Sequence, residues 1–157
     1  MTRILINKGY SITGLDSSYF KECLLESINE DFHQINKDIR EIVLKDIEGF
    51  DAIIHLAGLS RDPDCRDRAT VCFDANVMGT LNLIDAAKET SAQQFIFASS
   101  EWVYDTFEEG VAKIEDSPIN AANLTSEYAF SKYTSEVNLR QKFQHGFCPV
   151  TVLRFGI

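Results

Sequence analysis

Apolar and polar positions along the chain fall into two kinds of segment. Short apolar runs rich in β-branched and aromatic residues predict strands at residues 11–16, 51–56, 94–98 and 149–154, and residues 32–35 fit a short edge strand. Such runs are typical of strands that are buried on both faces, as in a parallel sheet.

Segments with helical periodicity lie between these strands. The pattern predicts helices over residues 2–8, 76–90 and 126–143. The positions expected on one face of each longer helix are Val77, Leu81 and Ile84 in the first and Ala129, Tyr133 and Val137 in the second. Alternation of strands and helices predicts an α/β fold with a doubly wound parallel sheet, formed as a single domain over residues 1–157.

Helix ends are marked by particular residue types. Gly9 follows the first predicted helix, where glycine favours a left-handed C-terminal cap. Asn76 or Asp74 is available as the N-cap of the middle helix, because a short polar side chain can accept a hydrogen bond from the first turn.

The charge of the chain limits its partners. The 157 residues include 15 Lys and Arg against 24 Asp and Glu, so the formal net charge is −9. This excess of negative charge disfavours nucleic acid and anionic membrane surfaces as partners, but it permits local binding of a phosphate-bearing small molecule. No apolar stretch approaches the length of a membrane span, and the N-terminus lacks the pattern of a secretory signal. A cytoplasmic protein is therefore expected.

Four cysteines are scattered along the chain without a Cys-x-x-Cys pair; they are Cys23, Cys65, Cys72 and Cys148. In a cytosolic protein this spacing favours reduced, partly buried thiols over a disulfide framework or a zinc site.

Two segments contain hydroxyl groups suited to acid–base chemistry. Tyr128 and Lys132 are four residues apart at the start of a predicted helix and therefore share one face, where an ammonium would lower the pKa of the phenol. Ser99 and Ser100 directly follow a predicted strand, at the end where ligands collect in open α/β sheets. Taken alone, the first segment also fits a chance Tyr–Lys spacing on a helix. The second segment also fits an ordinary Ser-Ser turn.

Two further strand ends have residues that suit a dinucleotide. Asp16 can accept hydrogen bonds from the adenine ribose, and the following residues 17–19 lack an Arg for a 2′-phosphate, which favours NAD over NADP; a turn aspartate is the alternative. Small residues in the segment His55-Leu-Ala-Gly58 permit close packing of a cofactor. We expect His55 itself to be a core or strand-end histidine rather than a catalytic group.

Taken in order, these motifs resemble those of the extended short-chain dehydrogenase/reductase family, in particular its NAD-dependent nucleotide-sugar epimerases and dehydratases. The matching segments are Asn7-Lys-Gly-Tyr10, Gly14-Leu-Asp16, Lys37-Asp-Ile-Arg40, His55-Leu-Ala-Gly58, Asn76-Val-Met-Gly-Thr80-Leu-Asn-Leu83, Ser99-Ser100 with Val103-Tyr104, Tyr128-x-x-x-Lys132 and Leu153-Arg-Phe-Gly156. The resemblance implies a Rossmann-like domain, NAD as cofactor and a nucleotide sugar as substrate. It also implies a homodimer formed through helices 76–90 and 126–143.

The resemblance assigns roles by position. Ser100, Tyr128 and Lys132 correspond to the catalytic hydroxyl, the acid–base phenol and the lysine that holds the nicotinamide ribose. The positions that correspond to cofactor contacts are Asp16, Asp38, Ile39, Leu56, Ala57, Gly58, Asn76, Ser99, Tyr128 and Lys132. In the family, the tyrosine removes a hydroxyl proton while NAD⁺ takes a hydride from the same carbon.

The sequence also departs from the family pattern. The first strand with its glycine-rich phosphate loop would precede Thr2, and the substrate domain would follow Ile157, so both ends are expected to be truncated. Glu101-Trp102 replaces the Asp-Glu pair of family dehydratases, which disfavours 4,6-dehydration, and Asp105 replaces a turn glycine.

Two functions of different classes therefore remain. The first is an NAD-dependent nucleotide-sugar epimerase or dehydratase, impaired by truncation. The second is a non-catalytic remnant or partner-binding module that no longer binds NAD, because charge-assisted contacts of the phosphate loop are lost. A flavodoxin-like signalling domain is consistent with the alternation of strands and helices, but it does not explain Ser100 and Tyr128.

Overall fold

Five parallel strands form two sheets in the computed structural model, which describes residues 1–23, 32–104 and 110–156. Strands β1 (Thr13–Asp16) and β2 (His33–Asn36) pair in one sheet. Strands β3 (Ala52–His55), β4 (Gln94–Ser100) and β5 (Val150–Phe155) form the other in the order β3-β4-β5. The predicted strands are confirmed, including the short edge strand, and their parallel pairing confirms the predicted fold class.

Helix α1 (Thr2–Asn7) precedes β1. Helices connect β2 to β3, β3 to β4 and β4 to β5, since parallel neighbours need crossover connections. They are α2 (Leu44–Ile47), α3 (Asp62–Asp67), α4 (Ala69–Phe73), α5 (Gly79–Ala87) and α6 (Glu127–Gln144). Gly9 follows α1 with φ +87°, as predicted for a left-handed cap. Within the described residues, no helix combines the length and apolar character needed to cross a membrane.

The predicted start of the middle helix is wrong. Helix α4 runs into a π-helical turn over Asp74–Met78 and then into α5 without leaving helical backbone angles. Neither Asn76 nor Asp74 is an N-cap, because both lie inside this continuous helix. Val77 and Ile84 are buried on its inner face, as expected.

One apolar core joins the larger sheet to the helices. Its buried members are Ile39, Ile42, Ile47, Leu83, Ile84, Ala87, Phe95, Phe97, Leu139 and Phe147. Along β4, Phe95 and Phe97 are buried while Gln94, Ile96 and Ala98 between them are half-buried. The expectation that the strands are buried on both faces is therefore not met along residues 94–98 of β4, where one face is fully buried and the other is half-buried.

A disulfide joins Cys65 and Cys72, contrary to the expectation of reduced thiols throughout. In an uninterrupted helix these Cα atoms would lie about 10 Å apart at 1.5 Å per residue, but they lie 5.0 Å apart here. The backbone leaves helical geometry at Arg68, with φ −136° and ψ 55°, and this break between α3 and α4 brings the two cysteines together. Cys23 and Cys148 are free.

Candidate active site

The predicted site residues gather at the carboxyl ends of the strands. Asp16 ends β1, His55 ends β3 and Ser100 ends β4. Because neighbouring strands within each sheet are parallel, these ends lie along the same edge of their sheet, where α/β proteins bind ligands.

Helix α6 brings two more groups to the edge of the larger sheet. Ser126 is its N-cap, and the side-chain oxygen accepts a hydrogen bond from the Ala129 backbone N–H at 3.1 Å. The cap fixes the start of the helix two residues before Tyr128. Tyr128 and Lys132 are both buried on the inner face of α6, as their spacing predicts.

Tyr128 is a neighbour of Ser100, and its pKa responds both to burial and to the serine hydroxyl. Burial raises the pKa of Tyr128, and the hydrogen bond with Ser100 lowers it by a smaller amount. The net direction is upward, so the expectation that Lys132 lowers this pKa is not met in the protein by itself. The ammonium nitrogen of Lys132 is 5.9 Å from the centre of the tyrosine ring and donates elsewhere.

Lys132 is held by the strand that ends in the two serines. Its Nζ donates to the Ala98 carbonyl at 2.8 Å and lies 5.1 Å from the centre of the Phe97 ring. Burial lowers the pKa of Lys132 to about 8, and the negative charge of Glu136 opposes this shift. The lysine is therefore mostly protonated at neutral pH and loses its proton at a pH only slightly higher.

The hydroxyl of Ser99 faces away from that of Ser100. Ser99 donates to the buried carboxylate of Glu136, which also binds the guanidinium of Arg154 at 2.7 Å. Ser100 instead accepts a hydrogen bond from the Trp102 backbone N–H at 3.3 Å. Sequence reasoning missed Glu136; its position one helical turn beyond Lys132 was the available signal.

The strand ends of the smaller sheet present two carboxylates. Asp16 is exposed and accepts a hydrogen bond from the Ser18 backbone N–H at 2.6 Å, which is the turn contact named above as the alternative. A hydrogen bond from Arg40, with Nη2 2.6 Å from Oδ2, lowers the pKa of Asp38. The Ile39 side chain is buried in the core against Gly79, so it does not face the open edge.

Asn76 clamps the turn that follows β3. Its amide oxygen accepts from the Leu59 backbone N–H at 2.7 Å, and its nitrogen donates to the Leu59 carbonyl at 3.0 Å and to the Ser131 hydroxyl at 3.0 Å. Gly58 has φ +141°, and a Cβ there would lie 2.5 Å from the Asn76 oxygen, so only glycine fits. Between this turn and the strand, Leu56 is exposed and Ala57 is half-buried.

His55 is a core residue, as predicted. It is buried, and its Nε2 lies 2.8 Å from the Thr80 hydroxyl. Burial lowers the pKa of His55 to about 3, with a further contribution from the charge of Lys132. The ring is therefore neutral at physiological pH and is not positioned as an acid–base catalyst.

No group of three or more His, Cys, Asp or Glu side chains suited to a metal ion occurs among the residues that the structure describes.

Asp105, which replaces the turn glycine of the family pattern, lies outside the described residues. The site as described therefore combines one serine, one tyrosine and one lysine, with carboxylates at the ends of β1 and β2.

Comparisons with curated sequences find epimerases. UDP-glucose 4-epimerase of Erwinia amylovora is 30% identical over 139 residues, which is 88% of this chain and 37% of that protein. UDP-glucose 4-epimerase 3 of Oryza sativa subsp. japonica is 33% identical over 92 residues, which is 59% of this chain and 24% of that protein. The matched part of the chain thus covers well under half of the length of these two relatives.

Comparisons with solved structures find the same fold. The NAD-dependent NDP-hexosamine 5,6-dehydratase TunA superposes with a TM-score of 0.84 at 22% identity, over 98% of this chain and 49% of that one. A short-chain dehydrogenase/reductase superfamily protein from Agrobacterium tumefaciens with bound NAD has a TM-score of 0.78 at 27% identity, over 98% of this chain and 44% of that one. The sequence profile of the NAD dependent epimerase/dehydratase family matches residues 1–156. The chain therefore belongs to the NAD-dependent epimerase/dehydratase family.

Proposed function

We propose that this chain is the cofactor-binding, catalytic part of an NAD-dependent enzyme that epimerises or dehydrates a nucleotide sugar. The observation that supports it most directly is the burial of Tyr128 and Lys132 on one face of α6, with Lys132 bonded to Ala98 on the strand that ends in Ser100. The named epimerases among its relatives support epimerisation as the reaction. The Glu101-Trp102 sequence after Ser100 weighs against 4,6-dehydration.

The strand ends fit NAD as cofactor. Asp16 presents an exposed carboxylate to a ribose, and the turn at Gly58 has no side chain to obstruct a dinucleotide that packs on the backbone. Asp38 is engaged by Arg40, so we assign its adenine contact to the backbone of residues 38–39 rather than to the carboxylate.

Tyr128, Ser100 and Lys132 have different roles in the proposed reaction. NAD⁺, when bound, accepts a hydride from the carbon that is oxidised. Tyr128 removes the proton from the hydroxyl on that carbon, and Ser100 hydrogen-bonds the same hydroxyl and orients it. Lys132 is protonated in most molecules at pH 7, because its pKa is about 8. Its charge favours the phenolate form of Tyr128 during the reaction.

Replacement of Tyr128 by Phe tests the acid–base assignment. We expect the variant to lose at least about 100-fold in kcat for a UDP-sugar while it still binds NAD, because only the phenolic oxygen is removed. Tyr133→Phe is the matched control on the same helix, since its hydroxyl donates a long hydrogen bond to the Ile119 carbonyl at 3.5 Å. Equal activity of Tyr128→Phe and the unaltered chain contradicts the assignment.

Calorimetric titration with NAD separates the proposal from the alternative of a non-catalytic, partner-binding module. Micromolar binding by the 157-residue chain supports the enzyme. Absence of binding at millimolar NAD supports the module. Asp16→Asn serves as the internal check, because it weakens binding only if the carboxylate holds the ribose.

We further propose that the chain forms a homodimer through its long helices. Apolar side chains remain exposed on the segment Ala69–Ala87 and on α6; they are Val71, Phe73, Met78, Phe130 and Val137. Exposed large apolar side chains on two neighbouring helices are compatible with a protein interface. Light scattering at tens of micromolar should give the dimer mass, and a monomer contradicts this assembly.

A further inference from the structure

The carboxylate of Glu136 lies buried on the same helix as Tyr128 and Lys132, and the reaction proposed above does not use it. It is on α6, one helical turn beyond Lys132, and only 5% of the residue is exposed. One oxygen accepts hydrogen bonds from the Ser99 hydroxyl and from Arg154 Nε at 3.1 Å. The other accepts from Arg154 Nη2 at 2.7 Å. A buried carboxylate needs such donors, because an unpaired one is costly.

The two donors come from the ends of adjacent strands. Ser99 on β4 is the register partner of Arg154 on β5. Glu136 therefore ties helix α6 to both strand ends at once. The hydrogen bonds with Glu136 also raise the pKa of Arg154, so the guanidinium stays charged at every physiological pH.

The end of β4 presents both groups that the catalytic side chains contact. The Ala98 carbonyl accepts the hydrogen bond of Lys132, and the Ser100 hydroxyl reaches Tyr128. Ser99 lies between these two residues, and alternation along a strand turns its side chain to the opposite side. Any contact that fixes Ser99 therefore fixes the peptide units on either side of it.

We propose that Glu136 is a positioning residue for the Tyr-Lys-Ser site: by binding Ser99 and Arg154 it holds the carboxyl end of β4 so that Ala98 and Ser100 meet Lys132 and Tyr128. The inference rests on the function proposed above for those three side chains. Glu136 itself touches neither substrate nor cofactor in this role.

The same network continues to the segment that follows β4. Arg154 Nη1 donates to the Tyr104 hydroxyl and to the Glu115 carbonyl at 2.9 Å, and its guanidinium carbon lies 4.9 Å from the centre of the Tyr104 ring. Tyr104 in turn donates to the Ile114 carbonyl at 3.3 Å. Glu136 thus connects the catalytic helix to the connection between β4 and α6 through a single guanidinium.

Charge is the second way in which Glu136 acts on Lys132. The groups close to the ammonium from other elements are neutral His55 on β3, and the Phe97 ring and Ala98 carbonyl on β4. On α6 itself the neighbours are Tyr128 and Glu136. Glu136 is the group among these whose charge favours the protonated lysine, so its removal leaves the burial of Lys132 unopposed.

Replacement of Glu136 by Gln tests the inference on the chain without ligands. The ε-carbon resonance of Lys132, followed by ¹³C NMR in lysine-labelled protein, reports its titration directly. We expect Glu136→Gln to reduce the proton affinity of Lys132 at least about threefold, because an opposite charge close to a buried ammonium is lost. Glu127→Gln is the matched control, since Glu127 is exposed in the first turn of the same helix. A folded Glu136→Gln protein with an unchanged Lys132 titration overturns the proposal.

A second variant keeps the test decisive if Glu136→Gln fails to fold. Ser99→Ala leaves the ion pair with Arg154 intact and removes only the link to β4. Hydrogen exchange at the backbone amides of residues 98–100 should accelerate at least about threefold, whereas the Phe95 amide at the other end of β4, bonded to the Pro149 carbonyl at 2.9 Å, keeps its rate. Equal acceleration at both ends, or none at either, contradicts a positioning role.

These measurements are independent of the proposed reaction. If Lys132 and the β4 amides respond as expected but the chain binds no NAD, the positioning network stands and the proposed function fails. If NAD binds but Glu136→Gln leaves the lysine titration unchanged, the proposed function stands and the role of Glu136 fails.

Discussion

At the residue scale, burial changes the acid–base properties of the site. It raises the pKa of Tyr128, lowers that of Lys132 to about 8 and lowers that of His55 to about 3. Desolvation disfavours the charged form in all three cases. Sequence spacing identified Tyr128 and Lys132 as a pair but gave the wrong direction for the pKa of Tyr128, because the shift is set by burial, which spacing does not reveal.

The pH dependence of stability tests the neutrality of His55. The unfolded chain binds a proton here below about pH 6.5, whereas the folded chain does so only near pH 3. Protonation therefore favours the unfolded state between these values, and the contribution of this residue to stability falls as the pH falls from about 6.5 towards 3.

Urea unfolding between pH 4 and 8 measures this contribution. We expect His55→Gln to flatten the decline relative to the unaltered chain, whereas His33→Gln, at an exposed position on β2, keeps it. A His55 ring resonance that titrates between pH 5 and 7 contradicts the prediction.

At the element scale, α6 shows where periodicity alone failed. The expected stripe was Ala129, Tyr133 and Val137, but Tyr133 is half-buried and Val137 is exposed. The buried face is largely polar, with Ser131, Lys132, Ser135 and Glu136 among its members. Hydrogen bonds from other elements make this possible, and hydrophobic periodicity carries no information about them.

The N-cap of α6 offers a direct test of how the helix is placed. Ser126→Ala removes the acceptor for the Ala129 N–H and the hydrogen bond to Asp62 on α3. We expect a loss of about 1–2 kcal/mol in the free energy of unfolding, measured with urea.

Ser117→Ala is the control for this prediction. The Ser117 hydroxyl accepts from the Ile114 N–H at 3.0 Å in an exposed turn, so its loss should cost less than about 0.5 kcal/mol. Equal losses in the two variants contradict a special role for the cap.

At the scale of the whole molecule, contacts distant in sequence assemble the site. Asn76 joins the turn after β3 to Ser131 on α6, and Glu136 joins the ends of β4 and β5. The buried disulfide packs in the same region, in a cluster with Tyr128. The break at Arg68 that forms it had no glycine or proline to mark it in the sequence.

Thiol titration tests the disulfide. In denaturant without reductant, the chain should show two reactive thiols, those of Cys23 and Cys148, and four after reduction. Because the bridge closes a short loop, we expect reduction to lower the free energy of unfolding by about 2 kcal/mol. Four thiols in the unreduced protein contradict the pairing, and Cys148→Ser should remove one thiol from each count.

The sequence by itself determined the element order, the parallel α/β fold and the family, because apolar periodicity and short motifs are local properties of the chain. It also placed Ser100, Tyr128 and Lys132 at one edge, because strand ends and helix starts follow from those patterns. Only the tertiary structure decided that Ser99 turns to Glu136, that Asn76 clamps a turn rather than caps a helix, and that Cys65 meets Cys72. Each of these contacts depends on how separate elements pack in space, and burial there sets the charge of each group.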